Sequence, residues 1–222
     1  MVAVDGPAGS GKSTVARRVA LDLGLRYLDT GAMYRALTWW MLGRGIDASD
    51  ASAVLARLSE PRITVVPDAS APQIYADGLD VAVPIRTRTV SNAVSLVASL
   101  PRVREMLIAM QRRIIADTAD TTGIVAEGRD IGTVVAPDAA VKVYLTASEE
   151  ARAQRRTADL AADPAATVDA TRQEQATRDK LDAAQMVMAA DAVHLDTTGL
   201  DIDEVVGRIV GLVRARQAMS GG

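Results

Sequence analysis

The chain of 222 residues is 49% hydrophobic and 24% charged, the balance of a folded globular protein with one core and excursions from it rather than of a disordered chain. It has no Cys and a single His, which excludes disulfides, a thiolate nucleophile, sulfur-ligated zinc and a His-rich metal site. A net charge of -3 argues against a general polyanion-binding surface, so no nucleic-acid polymer is expected as a partner.

Val2 to Asp5 is a short apolar strand, followed by a Gly-rich turn and a helical pattern in which Val15, Val19 and Leu23 share a face until Gly24 ends it. Tyr27 to Asp29 forms a second strand, and Met33 to Leu42 reads as a helix stopped by Gly43 and Gly45. From Arg62 to Val90 the pattern changes to short alternating runs, Ile63 to Val66 and Gln73 to Tyr75, broken by Pro67, Pro72 and Asp77-Gly78. Such runs predict a small antiparallel sheet. Helices follow at Val90 to Ala98 and from Pro101 to about Ala116, then a buried strand at Ile124 to Ala126. Val141 to Leu145 and Ala192 to Leu195 supply two more strands, separated by a polar helical stretch from about Glu149 to Asp182. The last helix runs from about Ile202 to Arg216, and Gly221-Gly222 is expected to fray. Five apolar strands alternating with helices predict an α/β fold, a parallel sheet flanked by helices on both faces. His194 falls in the alternating run of the last strand and reads as a sheet residue without a chemical role. No apolar run approaches the roughly 18 residues of a membrane span, so a cytoplasmic protein is expected.

Gly6-Pro7-Ala8-Gly9-Ser10-Gly11-Lys12-Ser13 satisfies the full G-x-x-x-x-G-K-[ST] pattern, between a strand and a helix as its chemistry requires. The glycines let backbone N–H groups turn inward around a β-phosphate, and the following helix, entered through Thr14, adds the positive end of its dipole. Lys12 is expected to bridge the β- and γ-phosphates of ATP, and the Ser13 hydroxyl to ligate Mg²⁺. A P-loop alone leaves kinases, GTPases, transport ATPases and nucleotide sensors open. No N-K-x-D segment is present, and the D-x-x-G candidate at Asp196 to Gly199 lies too late in the chain to be an early switch loop. Both points argue against a GTPase.

Asp29-Thr30-Gly31-Ala32-Met33-Tyr34-Arg35 ends the second strand, so Thr30 and Arg35 belong at the carboxyl edge of the sheet, where doubly wound folds bind ligands. Glu127-Gly128-Arg129-Asp130 follows the Ile124 to Ala126 strand and reaches the same edge. Arg152, Arg155 and Arg156 stand at helical i, i+3 and i+4 spacing, which predicts one shared face able to close over a transferring phosphoryl group. Glu127 is a candidate for ordering Mg²⁺ through water.

Together the P-loop, the D-T-G-A-M-Y-R segment, the run from Ser95 to Arg104 with its S-L-P-x-V-R end, and E-G-R-D-I-G-T-V-V resemble bacterial cytidylate kinase over nearly the whole chain. The resemblance implies a P-loop NTPase core with a five-stranded parallel sheet, a small α+β monophosphate-binding insertion and a short helical lid. It divides the chain into core (1-32, 105-150, 183-222), insertion (about 33-104) and lid (about 151-182). It implies transfer of the γ-phosphoryl group of ATP to CMP or dCMP, with Mg²⁺, by a monomer. Arg35 and Arg129 then hold the CMP phosphate, Ser95, Arg104 and Asp130 read cytosine, and Asp182 holds the ribose with help from Arg178. Lys12, Arg129, Arg152 and Arg156 are the expected catalytic cations, and Arg155 joins the ATP side. After the R-D-x-x-D segment that ends at Asp182 the family continues with another Arg and a Pro-Leu pair. This chain instead runs Ala183-Ala184-Gln185-Met186-Val187 and is several residues short. Two rivals stay open: a small P-loop kinase for UMP or a non-nucleotide acceptor, and a nucleotide sensor without turnover.

Overall fold

The computed structural model describes residues 1–119, 122–160 and 167–220. Among these residues, eight strands and eight helices follow in the order β1 (Val2–Asp5), α1 (Lys12–Leu23), β2 (Arg26–Asp29), α2 (Thr30–Leu42), α3 (Ala51–Ala56), β3 (Ile63–Val66), β4 (Gln73–Ala76), β5 (Leu79–Asp80), α4 (Arg88–Ala98), α5 (Pro101–Ala119), β6 (Ile124–Gly128), β7 (Val141–Thr146), α6 (Glu149–Asp159), α7 (Val168–Asp182), β8 (Val193–Asp196) and α8 (Ile202–Ser220). A 3₁₀ turn at Pro84–Arg86 and a π-helical turn at Ile131–Val135 complete the order.

Five strands form one sheet in the order β2-β6-β1-β7-β8, every neighbouring pair parallel. Successive strand residues face opposite ways, and the packing follows that alternation. Val2 and Val4 join Val15, Val19 and Ile209 under α1 and α8, whereas Ala3 joins Leu28, Met33, Leu37 and Leu107 under α2 and α5. Burying each of these Val, Leu, Ile and Met side chains stabilises the fold by about 1.5–3 kcal/mol. Register fixes where the chemistry lies: Asp29 stands opposite Glu127, and Asp5 stands between Gly128 and Tyr144. The carboxyl ends of β1, β2, β6 and β7 therefore finish on one edge.

The small antiparallel sheet has the order β3-β4-β5. Its second hairpin closes on Asp77 (φ 51°) and Gly78 (φ 81°), the two successive left-handed residues that a two-residue turn matching strand twist requires. Asp77 accepts hydrogen bonds from the Arg62 amide at 2.9 Å and from Trp40 Nε1, so the turn is tied to α2. The β3–β4 loop reaches the other way: Ala69 is buried, and Arg17 of α1 donates to the carbonyls of Ala69 and Ser70 at 2.7 and 2.6 Å.

Three details differ from the sequence reading. α2 begins at Thr30, because the Asp29 carboxylate caps it by accepting from the Ala32 amide at 2.9 Å. The polar stretch from Glu149 is two helices, each opened by its own N-cap, Ser148 and Thr167. Residues 161–166 of that stretch, like Gly221-Gly222, lie outside the described residues. The short helix α3 carries only Val54 as a buried residue, too little periodicity to find. Among the described residues no helix is long and apolar enough to cross a membrane.

Candidate active site

At the carboxyl edge of the sheet a cleft of about 690 Å³ runs from the P-loop to α4 and α5. Its donor end is built from backbone. Gly6 takes φ +147°, and a Cβ there would meet the Leu145 carbonyl oxygen at 2.1 Å; Gly9 takes φ +76° and packs against Arg152 and Gln175. Neither position admits a side chain. α1 starts at Gly11 (φ 88°) with no side-chain cap and no acidic residue in its first turn, which leaves the positive end of its dipole to an anionic ligand. Lys12 folds back onto the loop, its Nζ donating to the Pro7 carbonyl at 2.7 Å. Burial, with Arg129 adding repulsion, pushes the Lys12 ammonium down to about 7, against the pull of Glu127 and Asp5.

Behind Lys12 stands Glu127, buried at the end of β6, where its Oε1 accepts from the Tyr27 hydroxyl at 2.6 Å. Burial and the neighbouring Asp29 carboxylate raise the Glu127 carboxyl to about 7, with Lys12 and the Ser13 hydroxyl pulling the other way. Ser13, Asp29 and Glu127 line one corner of the cleft and offer only hard oxygen donors, the set that suits Mg²⁺ held partly through water.

The acceptor end is built from side chains on several elements. Arg104 of α5 forms an ion pair with Asp130, both largely buried. Ser95 of α4 lines the same region with a buried hydroxyl that has no partner. Arg129 donates from Nη1 to the Gly6 carbonyl at 2.9 Å and pairs through Nη2 with Asp182 at 2.8 Å. Thr30 donates from Oγ1 to the Glu127 carbonyl at 2.7 Å, which ties α2 to β6. Arg35 donates to Ser91 Oγ at 2.8 Å, and Arg156 reaches the same oxygen at 2.9 Å. Burial, then Arg178 and Arg156, lower the Arg35 guanidinium to about 9; burial and Arg129 lower Arg178 to about 10. The Arg178 Nε is buried without a partner. Buried cations crowded this way are stabilised by an added anion.

The three arginines of α6 do not act as one face. Arg152 donates to the Ala8 carbonyl at 3.2 Å and pairs with Asp179 at 2.6 Å, so it braces the outside of the P-loop and does not border the cleft. Arg155 grips Thr197, at 2.9 Å to the hydroxyl and 2.6 Å to the carbonyl. Arg156 alone of the three faces the acceptor end. Their long side chains fan out because P-loop, β8 loop and α4 each present an acceptor, and spacing on a helix does not report such partners.

His194 is a sheet residue on β8, with Nε2 2.8 Å from Thr146 Oγ1. The run after Asp182 is seated by its main chain, the Tyr144 hydroxyl donating to the Met186 carbonyl at 3.2 Å. Arg86 and Ser91 border or tie together the acceptor end without having been singled out by sequence; each lies outside a recognisable motif.

A likeness of fold alone is found to a gluconokinase from Sinorhizobium meliloti 1021, 15% identical over 99% of this chain and 94% of that one, with a TM-score of 0.52. Sequence relatives are much nearer. A cytidylate kinase of Streptomyces avermitilis is 47% identical over 98% of this chain and 94% of its own length. Those of Streptomyces coelicolor and Geobacillus kaustophilus are 48% and 46% identical, over 98% and 97% of this chain and 94% and 96% of their own lengths. The family model described as cytidylate kinase matches residues 2–215, and the chain belongs to that family.

Proposed function

We propose that this protein transfers the γ-phosphoryl group of ATP to CMP, and to dCMP, giving ADP and the corresponding diphosphate. The observation that carries the reading is one cleft lined by the P-loop and by the Arg104–Asp130 pair, with Arg35 and Arg129 lining it too. Asp130 can accept from the exocyclic amine of cytosine while Arg104 donates to its ring acceptors; uracil reverses the pattern at two of those atoms. The orphaned Ser95 hydroxyl gains a partner from a base in that place. Arg35 and Arg129 hold the acceptor phosphate, offset its repulsion from the donor and draw on the Arg fork's fit to phosphate oxygens. Asp182 takes the ribose, assisted by Arg178.

Chemistry then needs no protein nucleophile and no general base, because the acceptor phosphate is already an anion near neutral pH. The main-chain N–H groups of Gly9 to Thr14 cradle the donor phosphates, Lys12 spans them, and Arg129 and Arg156 meet charge that spreads over the equatorial oxygens. Ser13, with Glu127 behind it, would hold Mg²⁺, which supplies further neutralisation of donor charge. Arg152 acts through the P-loop main chain and Arg155 through the Thr197 loop on the ATP side. Segments 33–104 and 151–182 serve as acceptor-binding insertion and lid around the core, closing to exclude water. One chain supplies every group named, which favours a monomer as the working unit.

The test is coupled ADP production with MgATP and, separately, CMP, dCMP, UMP, AMP and no acceptor. Turnover highest with CMP is expected. Equal turnover without acceptor would overturn the reading, and higher turnover with UMP would overturn the base assignment.

A further inference from the structure

Asp5 sits on the central strand immediately before the P-loop, 6% exposed and outside the lining of the cleft. Both of its oxygens are committed. Oδ1 accepts from the Ile131 amide at 2.8 Å and Oδ2 from the Gly132 amide at 2.7 Å. These are the opening amides of the π-helical turn, which helical geometry leaves without partners of their own. The same turn closes on Asp130, whose carbonyl accepts from the amides of Val134 and Val135 at 2.8 and 3.2 Å. On the other side, the carbonyl of Gly6 accepts from Arg129 at 2.9 Å. Two adjacent residues, Asp5 and Gly6, thus stitch the donor strand to the acceptor segment Arg129 to Gly132 from both ends.

A buried carboxylate is a costly choice for two hydrogen bonds. Burial raises the Asp5 carboxyl above its usual range, and Asp130 adds repulsion. Only an ionised carboxylate, however, presents acceptors and no donor at both atoms. An amide or hydroxyl would set an N–H or O–H against one backbone N–H or leave it unpaired. Close approach is also prepared: a Cβ on Gly132 would lie 3.4 Å from Asp5 Oδ2 and 3.2 Å from Lys142 Cδ. Resting on the kinase reading above, we propose that Asp5 is a positioning residue for the acceptor, pinning Ile131 and Gly132 so that Arg129 and Asp130 stand at a fixed offset from the P-loop.

Asp5→Asn keeps the shape and one acceptor while turning an amide N–H toward the other backbone N–H. The expected result is a KM for CMP raised about tenfold, the free-energy equivalent of one unpaired buried amide, and a reduced CMP-over-UMP preference, with the KM for ATP unchanged. Faster hydrogen exchange at the Ile131 and Gly132 amides should accompany it. Ile209→Val, on the buried face of α8, is the control: it lowers Tm without splitting the two KM values. Should Asp5→Asn fail to fold, Gly132→Ala presses on the same contact and should give the same split, smaller. A variant that only lowers Tm, or that raises both KM values equally, overturns the proposal. Absent CMP-dependent turnover in the wild type would instead count against the kinase reading itself.

Discussion

The two ends of the cleft are made in different ways. The donor end is eight consecutive residues whose glycines aim main-chain amides inward, and its only long side chain is Lys12. The acceptor end is gathered from α2, α4, α5, the β6 loop and α7, and several of its groups are already paired with one another: Arg104 with Asp130, Arg129 with Asp182, Arg35 with Ser91. A backbone cradle depends on Gly6 and Gly9 being glycine, because each has a positive φ and a Cβ at either would collide with its neighbours. Dispersed side chains hold theirs by pairing, and a ligand must replace those pairs with contacts as good. The contrast predicts that donor mutations act on rate and acceptor mutations on selectivity.

The largest expected effect is at Lys12. Removing a cation from the phosphates in Lys12→Ala should lower kcat by about 10³ or more, with circular dichroism and Tm showing an intact fold. Activity near wild type would break the distinction at its donor end. Next is Asp130→Ala, which strands Arg104 and removes the acceptor for the cytosine amine. Leaving such a group unpaired costs about 1–3 kcal/mol, so the ratio of kcat/KM for CMP over UMP should fall by about 5- to 150-fold. An unchanged ratio would remove Asp130 from base reading. In Ser95→Ala a smaller erosion of the same ratio, under about tenfold, is expected, because a hydroxyl supplies one neutral contact.

The same contrast explains what the sequence could show. The P-loop was legible as a motif because its function is carried by consecutive residues, and the parallel sheet because β1, β2, β6 and β7 each carry a short run with buried apolar residues. Arg35, Arg104, Arg129 and Asp130 could be placed by motif resemblance, and the cleft brings them to one end. Partner choice was not legible. Ser91, which takes both Arg35 and Arg156, sits in α4 with a spacing to neither, at 56 and 65 residues in sequence. Arg152 shares a helix face with Arg156 by periodicity, yet the Ala8 carbonyl and Asp179 draw it to the outer side of the P-loop. Asp5 looked like the end of a strand; its two bonds span 126 and 127 residues.

The smallest effect tests whether the acceptor end also depends on how its supporting segment is moored. Arg17 lies on α1, the helix of the donor end, but spends its guanidinium on Ala69 and Ser70 of the β3–β4 loop, while Tyr27 donates its amide to Pro67 at 3.1 Å. Ala69 itself is buried among residues of the α1 side of the core. The three-stranded sheet is therefore held at two places, by Trp40 with Asp77 at its turn and by Arg17 at its loop. Arg17→Ala loses two hydrogen bonds to carbonyls, one of them at an exposed position, and should cost about 1–2 kcal/mol, a fall in Tm of about 2–8 °C for a chain of this size. If the mooring also sets the acceptor end, the KM for CMP should rise modestly while that for ATP stays constant. A fall in Tm with both KM values unchanged would mean that the Trp40–Asp77 and Tyr27–Pro67 bonds carry the sheet's position, and that the Arg17 contact contributes stability alone.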